Sequence, residues 1–223
     1  MGTLNFTAIG RDRRYWDELL SEDHLLDNQT EWLAYSREIY AVWTLQYLHP
    51  GRRVLKTDAF EEIRGPEVAQ ALGERFEKVV ITDLAYAALR SGSRKTPASW
   101  VQTPVQGLPF ATGSFDAVAS FSTLDHFRTQ EEISASLAEL ARLTRPGGQM
   151  LITLDNPANP VVALRNALPH KLLAASGVAP YEYGKTLRPA QFHAALESSG
   201  WSVRKFHGAL HAPRALAVAA SSH

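Results

Sequence analysis

The stretch from Gly107 to Asp155 restricts the fold of this chain more than any other: GLPFATGSFDAVASFSTLDHF, an amphipathic interval, then RPGGQMLITLD. Asp116 to Phe121 is a short apolar run of small and β-branched residues, which suits a strand covered on both faces. Glu131 to Leu143 carries Ile133, Leu137, Leu140 and Leu143 at helical spacing, and Pro146-Gly147-Gly148 stops that helix. Strand character resumes from Met150 to Leu154. A strand, a crossover helix and a strand of this length predict a right-handed parallel unit.

At LPFATGSFDAV and LARLTRPGGQMLITL the sequence resembles the class I S-adenosylmethionine-dependent methyltransferases. In that family the Leu-Pro-Phe segment precedes the fourth strand and the Arg-Pro-Gly-Gly turn precedes the fifth. The likeness extends more loosely from about Arg53 to the C-terminus. It implies a Rossmann-like, mostly parallel seven-stranded sheet with helices on both faces and an N-terminal helical cover. S-adenosylmethionine is the implied cofactor.

With 223 residues the chain is long enough for one sizeable core and too short to require two domains. The expected organisation is an N-terminal helical extension over 1–50 and an α/β domain over 51–223, with a substrate-side insertion at 156–188. Twenty-three basic and 23 acidic residues balance, so charge makes no case for nucleic acid or an anionic membrane as partner. Cys is absent, which excludes disulfides, thiolate metal sites and a Cys nucleophile. The histidines lack the dense set of acid partners that a metal site needs, and no apolar run reaches membrane-spanning length. A cytoplasmic protein acting on a small molecule is expected, and a homo-oligomer is compatible with all of this.

Arg11 to Leu26 and Thr30 to about Leu48 read as two helices, the second rich in aromatic residues. Either Trp32, Tyr40 and Trp43 simply dock that helix or, as the resemblance implies, Trp32, Tyr35 or Tyr40 roofs a substrate pocket. Arg53 to Asp58 then begins the sheet. By position, Lys56-Thr57-Asp58-Ala59-Phe60-Glu61-Glu62 is the family's first cofactor loop, yet it has no glycine until Gly65. Asp58, Glu61 and Glu62 could stabilise the following helix N-terminus. Alternatively, Lys56 and Asp58 replace the missing backbone contacts, Lys56 towards the cofactor carboxylate and Asp58 towards its ammonium. Some methyltransferase-like sequences share this Leu-Lys-Thr-Asp phrase and continue into a Thr-Leu-Asp-His-Phe phrase.

Asp83 closes the second strand, where an acid either takes ribose hydroxyls or caps the next helix. The family's adenine-reading acid is replaced by Pro104, which leaves the base to backbone or to Gln106. Leu108 and Ser122 complete the implied cofactor contacts. Asp125 and His126 follow the fourth strand, so either could reach a ligand. His126 reads as a structural hydrogen-bonding residue or as a general base, because imidazole titrates near neutrality. Asn156, Asn159, Tyr181 and Tyr183 are candidate pocket groups of the insertion, and Trp201–Leu210 and Arg214–Ala220 are expected as the last two strands. The reading is methyl transfer to a small molecule. Its alternative is a methyltransferase fold that no longer methylates, serving as a binding or assembly subunit or as a cyclase or isomerase.

Overall fold

The computed structural model describes residues 6–21, 30–168, 181 and 183–208. Two helices, α1 (Phe6–Ser21) and α2 (Thr30–Tyr47), precede β1 (Gly51–Lys56), α3 (Phe60–Arg64), α4 (Glu67–Arg75), β2 (Phe76–Asp83), α5 (Tyr86–Gly92) and β3 (Ser99–Gln102). β4 (Phe115–Phe121), a 3-10 turn (Leu124–His126), α6 (Gln130–Leu143), β5 (Thr144–Thr153), α7 (Pro160–Ala167) and α8 (Pro189–Ser198) follow. The sheet is entirely parallel, in the order β3-β2-β1-β4-β5.

Among the described residues the sheet has five strands where seven were expected, which corrects the predicted sheet. Residues 201–208 are not strand, and 209–223, including the expected final strand from Arg214 to Ala220, lie outside the described residues. Trp201 instead follows α8 as an anchor, its backbone N–H bonded to the Leu196 carbonyl and its ring packed on the α6 side of the sheet. Tertiary packing decides such weakly alternating segments, and here the local pattern was insufficient.

Strand alternation divides the core into two layers. Val54, Ile81, Ala117, Ala119 and Phe121 meet α2, α4 and α5 through Tyr40, Val68, Leu72 and Leu89. On the other face Leu55 and Val118 meet Ile133, Leu137 and Leu140 of α6 and Phe192 and Leu196 of α8. The expected crossover helix is present as α6, opened by a capping box in which Thr129 Oγ1 accepts from the Glu132 N–H and Glu132 accepts from the Thr129 N–H. The Gly147 turn, at φ +75°, is absorbed into β5 as a break in register: Phe115 pairs with Thr144, but Ala117 pairs with Gln149.

Strands β1 and β4 are neighbours from which the chain departs in opposite directions, so the crevice beyond their carboxyl ends is the topological switch point of the sheet. That place is held together by hydroxyls. Thr57 Oγ1 lies 2.9 Å from Ser120 Oγ and 2.8 Å from Thr123 Oγ1, tying the end of β1 to the end of β4.

Candidate active site

A cleft opens over the carboxyl ends of β1, β2, β4 and β5, roofed by Ile9, Asp12, Tyr15 and Trp16 of α1. Asp58, Asp83, Gln106, Ser122, Asp125 and His126 all line it. Lys56 and Leu108 do not. Leu108 is buried in the α6-side core, and its N–H donates to Glu139.

Lys56 is fully buried, with its ammonium enclosed by this chain's own acids. Nζ lies 2.8 Å from the Asp58 carbonyl, 3.2 Å from Asp58 Oδ1, 2.6 Å from Glu61 Oε2 and 3.0 Å from Glu62 Oε2. Burial opposes the lysine's charge, but the three surrounding carboxylates outweigh it and hold Lys56 well above its usual range. Burial would likewise raise Asp58, yet Lys56 and the Thr123 hydroxyl at 2.5 Å hold it low. Glu61 is pushed far up by burial and by Asp58 nearby, and Glu62 is raised mainly by burial. The glycine-free loop is therefore braced from inside by an ion cluster, with Lys56 and Asp58 charged. A direct reach of Lys56 to a cofactor carboxylate does not fit this placement.

Asp83 sits at the tip of β2, only partly covered. Oδ2 accepts from the Ala59 N–H at 2.9 Å and Oδ1 from the Ala85 N–H at 2.7 Å. It thus fastens the loop to β2 and braces the chain entering α5. Each oxygen retains a lone pair. Burial raises its pKa to about 7 against the pull of those two amides.

Ser122 leaves β4 with φ 49°, a left-handed conformation that costs a non-glycine residue energy and turns the chain sharply into Leu124–His126. Its N–H donates to Thr153 Oγ1 at 2.9 Å. Beyond it the Asp125 carboxylate is buried, and Oδ1 has no hydrogen-bond partner. Burial first, and then repulsion from Asp155, push this carboxyl well above the usual range, with Arg165 opposing. The His126 ring meets Trp16 edge-on at 4.9 Å between centroids and Tyr181 at 5.4 Å.

Trp16 and Arg165 were not singled out in the sequence. Trp16 was one of several apolar positions of a docking helix, and only the path of α1 over the sheet brings it to the cleft. Arg165 pairs with Asp155 at 2.6 Å and stacks on Tyr183 with its guanidinium 3.6 Å from the ring centroid. Of the expected roof residues, Tyr40 is buried, with its ring stacked on Phe121 at 4.4 Å, Tyr35 is exposed, and the Trp32 side chain lies outside the described residues. Asn156, Asn159, Tyr181 and Tyr183 all line the cleft. The segment 183–187 crosses the turn: Gly184 N–H donates to the Asp125 carbonyl at 2.8 Å and Lys185 N–H to that of Phe127 at 2.6 Å.

The methyltransferase-domain family matches residues 65–152, which span α4 to β5. The demethylmenaquinone methyltransferase of Mycobacterium bovis is 31% identical over 167 residues, covering 69% of this chain and 68% of that protein. The chain belongs to the class I S-adenosylmethionine-dependent methyltransferases. The enzyme of the same name from Mycolicibacterium vanbaalenii is 34% identical over 137 residues, 55% of this chain, and the match spans 58% of the relative's length. Among solved structures, a putative methyltransferase of Bacillus halodurans superposes with a TM-score of 0.59 at 21% identity, over 75% of this chain and 71% of that one, which supports the fold. Among the described residues no three His, Asp or Glu side chains are grouped to hold a metal ion, and no helix is long and apolar enough to cross a membrane.

Proposed function

We propose that this methyltransferase-family protein moves a methyl group from S-adenosylmethionine to a small molecule held beneath α1. The observation that carries the reading is the half-covered Asp83 carboxylate at the tip of β2, beside the switch-point crevice, with a spare lone pair on each oxygen. A vicinal diol fits that carboxylate. Asp58, Gln106 and Ser122 line the same cleft, and in this reading Gln106 takes the base edge while Asp58 and Ser122 take the amino-acid tail. When bound, the cofactor supplies an electrophilic methyl group on a sulfonium.

The chain's own residues then have three tasks. Trp16, Tyr181 and the segment 183–187 close the cleft and limit water, which strengthens electrostatic contacts inside it. The rigid turn after β4 orients the acceptor, since methyl transfer depends mainly on alignment. Asp125 and His126 are the groups placed to take a proton from an acceptor that must lose one. The described part of 156–188, with Asn156, Asn159 and Tyr183, supplies selectivity, and α1 forms the cover.

One observation favours the alternative, a fold kept without methylation: the loop that usually cradles the cofactor spends its charges on itself around Lys56. The test is formation of S-adenosylhomocysteine by the purified protein with small-molecule acceptors, beginning with demethylmenaquinone, the compound in its relatives' name. Acceptor-dependent product supports methyl transfer. Cofactor binding with no turnover on any acceptor would favour the alternative.

A further inference from the structure

The acceptor end of the cleft holds a buried carboxylate on which Arg165 acts only from a distance and one oxygen of which accepts no hydrogen bond. Asp125 is only 6% exposed, and its Oδ1 lacks a hydrogen-bond partner. The nearest recorded ion-pair contact, His126 Nε2, is 3.9 Å away. The guanidinium groups on either side are committed elsewhere: Arg128 pairs with Asp12 at 3.0 Å and Arg165 with Asp155 at 2.6 Å. Lys185, on the crossing segment, is exposed. A buried acid with an open oxygen is costly to maintain, so its retention beside a cleft points to a ligand that completes it.

Trp16, His126 and Tyr181 line the same cleft as Asp125, with ring centroids 4.9 to 6.0 Å from one another, and Phe60 adds an edge contact to Tyr181 at 6.3 Å. Aromatic faces and a desolvated carboxylate together attract an organic cation, the rings through their quadrupole and the acid through a charge-assisted hydrogen bond. They offer nothing to a carboxylate or a phosphate.

Resting on the methyl-transfer reading, we infer that the acceptor is an amine, bound as its ammonium by Asp125 within the Trp16, His126 and Tyr181 rings. Asp125 then takes one ammonium proton: the N–H bond breaks, its electron pair stays on nitrogen as the nucleophilic lone pair, and an O–H bond forms on Oδ1. Burial and the neighbouring Asp155 push this carboxyl upward, which favours its accepting that proton.

The test is calorimetric binding in phosphate buffer, without cofactor and with S-adenosylhomocysteine. Its probes are primary ammonium compounds graded from ethylammonium to 2-phenylethylammonium and tryptammonium, each matched with its hydroxyl analogue. At least one ammonium probe should bind tenfold or more tightly than its alcohol, and Asp125→Asn should remove that preference while leaving alcohol binding unchanged. Because that variant could fold poorly, the preference in the unaltered protein is decisive on its own. If no ammonium compound outbinds its alcohol, the inference fails. Turnover of demethylmenaquinone, which has no amine, in a protein that ignores all ammonium probes would overturn the amine while leaving methyl transfer standing. Amine binding without any transfer would do the reverse.

Discussion

Lys56 shows how a single side chain can be read wrongly from its neighbours in sequence. Next to Asp58 at a strand end it looks like a group reaching for a ligand, but its ammonium is sealed among three acids. Removing one partner of a buried charge set leaves the others uncompensated, so Lys56→Ala should cost about 3 to 5 kcal/mol of stability. Urea denaturation would measure it, and a loss below about 1 kcal/mol would mean that the cluster is solvated. Asp83 was legible, because an acid two residues beyond Val79-Val80-Ile81 must emerge at the strand tip. Its double duty towards Ala59 and Ala85 was not, since the loop's path is a tertiary fact. With its pKa at about 7 against an ordinary value near 4, folded Asp83 keeps a proton that the unfolded chain releases in that window. Its contribution to stability therefore falls as pH rises from about 4 to about 7. Asp83→Asn should flatten the dependence of melting temperature on pH between 5 and 8, and an unchanged slope would contradict the assignment. Hydroxyl donors favour the ionised carboxylate, so cofactor affinity should rise between pH 6 and 8.

Among the elements, β4, α6 and β5 were the clearest in the sequence, because apolar runs mark the strands and helical spacing marks α6, although β5 begins at Thr144, ahead of the Gly-Gly turn, rather than at Met150. The cover was legible as helices from the sequence pattern, and as a roof only through the family resemblance, on α2 rather than α1. Nothing in the period of α1 says that Trp16 lies over a sheet edge, since amphipathic spacing gives a buried face without its partner. The segment 183–187 was visible only as part of an insertion, whereas in the folded chain it lies across the turn that carries Asp125. Gly184 makes this crossing achievable, because a Cβ there would collide with the Phe127 carbonyl and the His126 backbone. Gly184→Ala should push the segment off the turn. We expect substrate KM to rise several-fold with the melting temperature shifted by only a few degrees, measured on the same preparation. An unchanged KM would show that the segment does not border the acceptor.

At the scale of the whole molecule, the family relationship and the parallel order β3-β2-β1-β4-β5 place a crevice at the switch point. The glycine-free loop has replaced backbone contacts with an internal ion cluster. The strand expected from Trp201 had no such chemistry behind it, and residues 201–208 pack without joining the sheet. The central claim is that the crevice still takes S-adenosylmethionine through Asp83 despite the altered loop. Isothermal titration of the purified protein with S-adenosylmethionine and with S-adenosylhomocysteine, up to millimolar concentration and repeated with Asp83→Ala, tests it most directly. The account predicts weak, saturable binding of both ligands at one site per chain, lost in the folded variant; no heat with either ligand, or binding that survives Asp83→Ala, would contradict it.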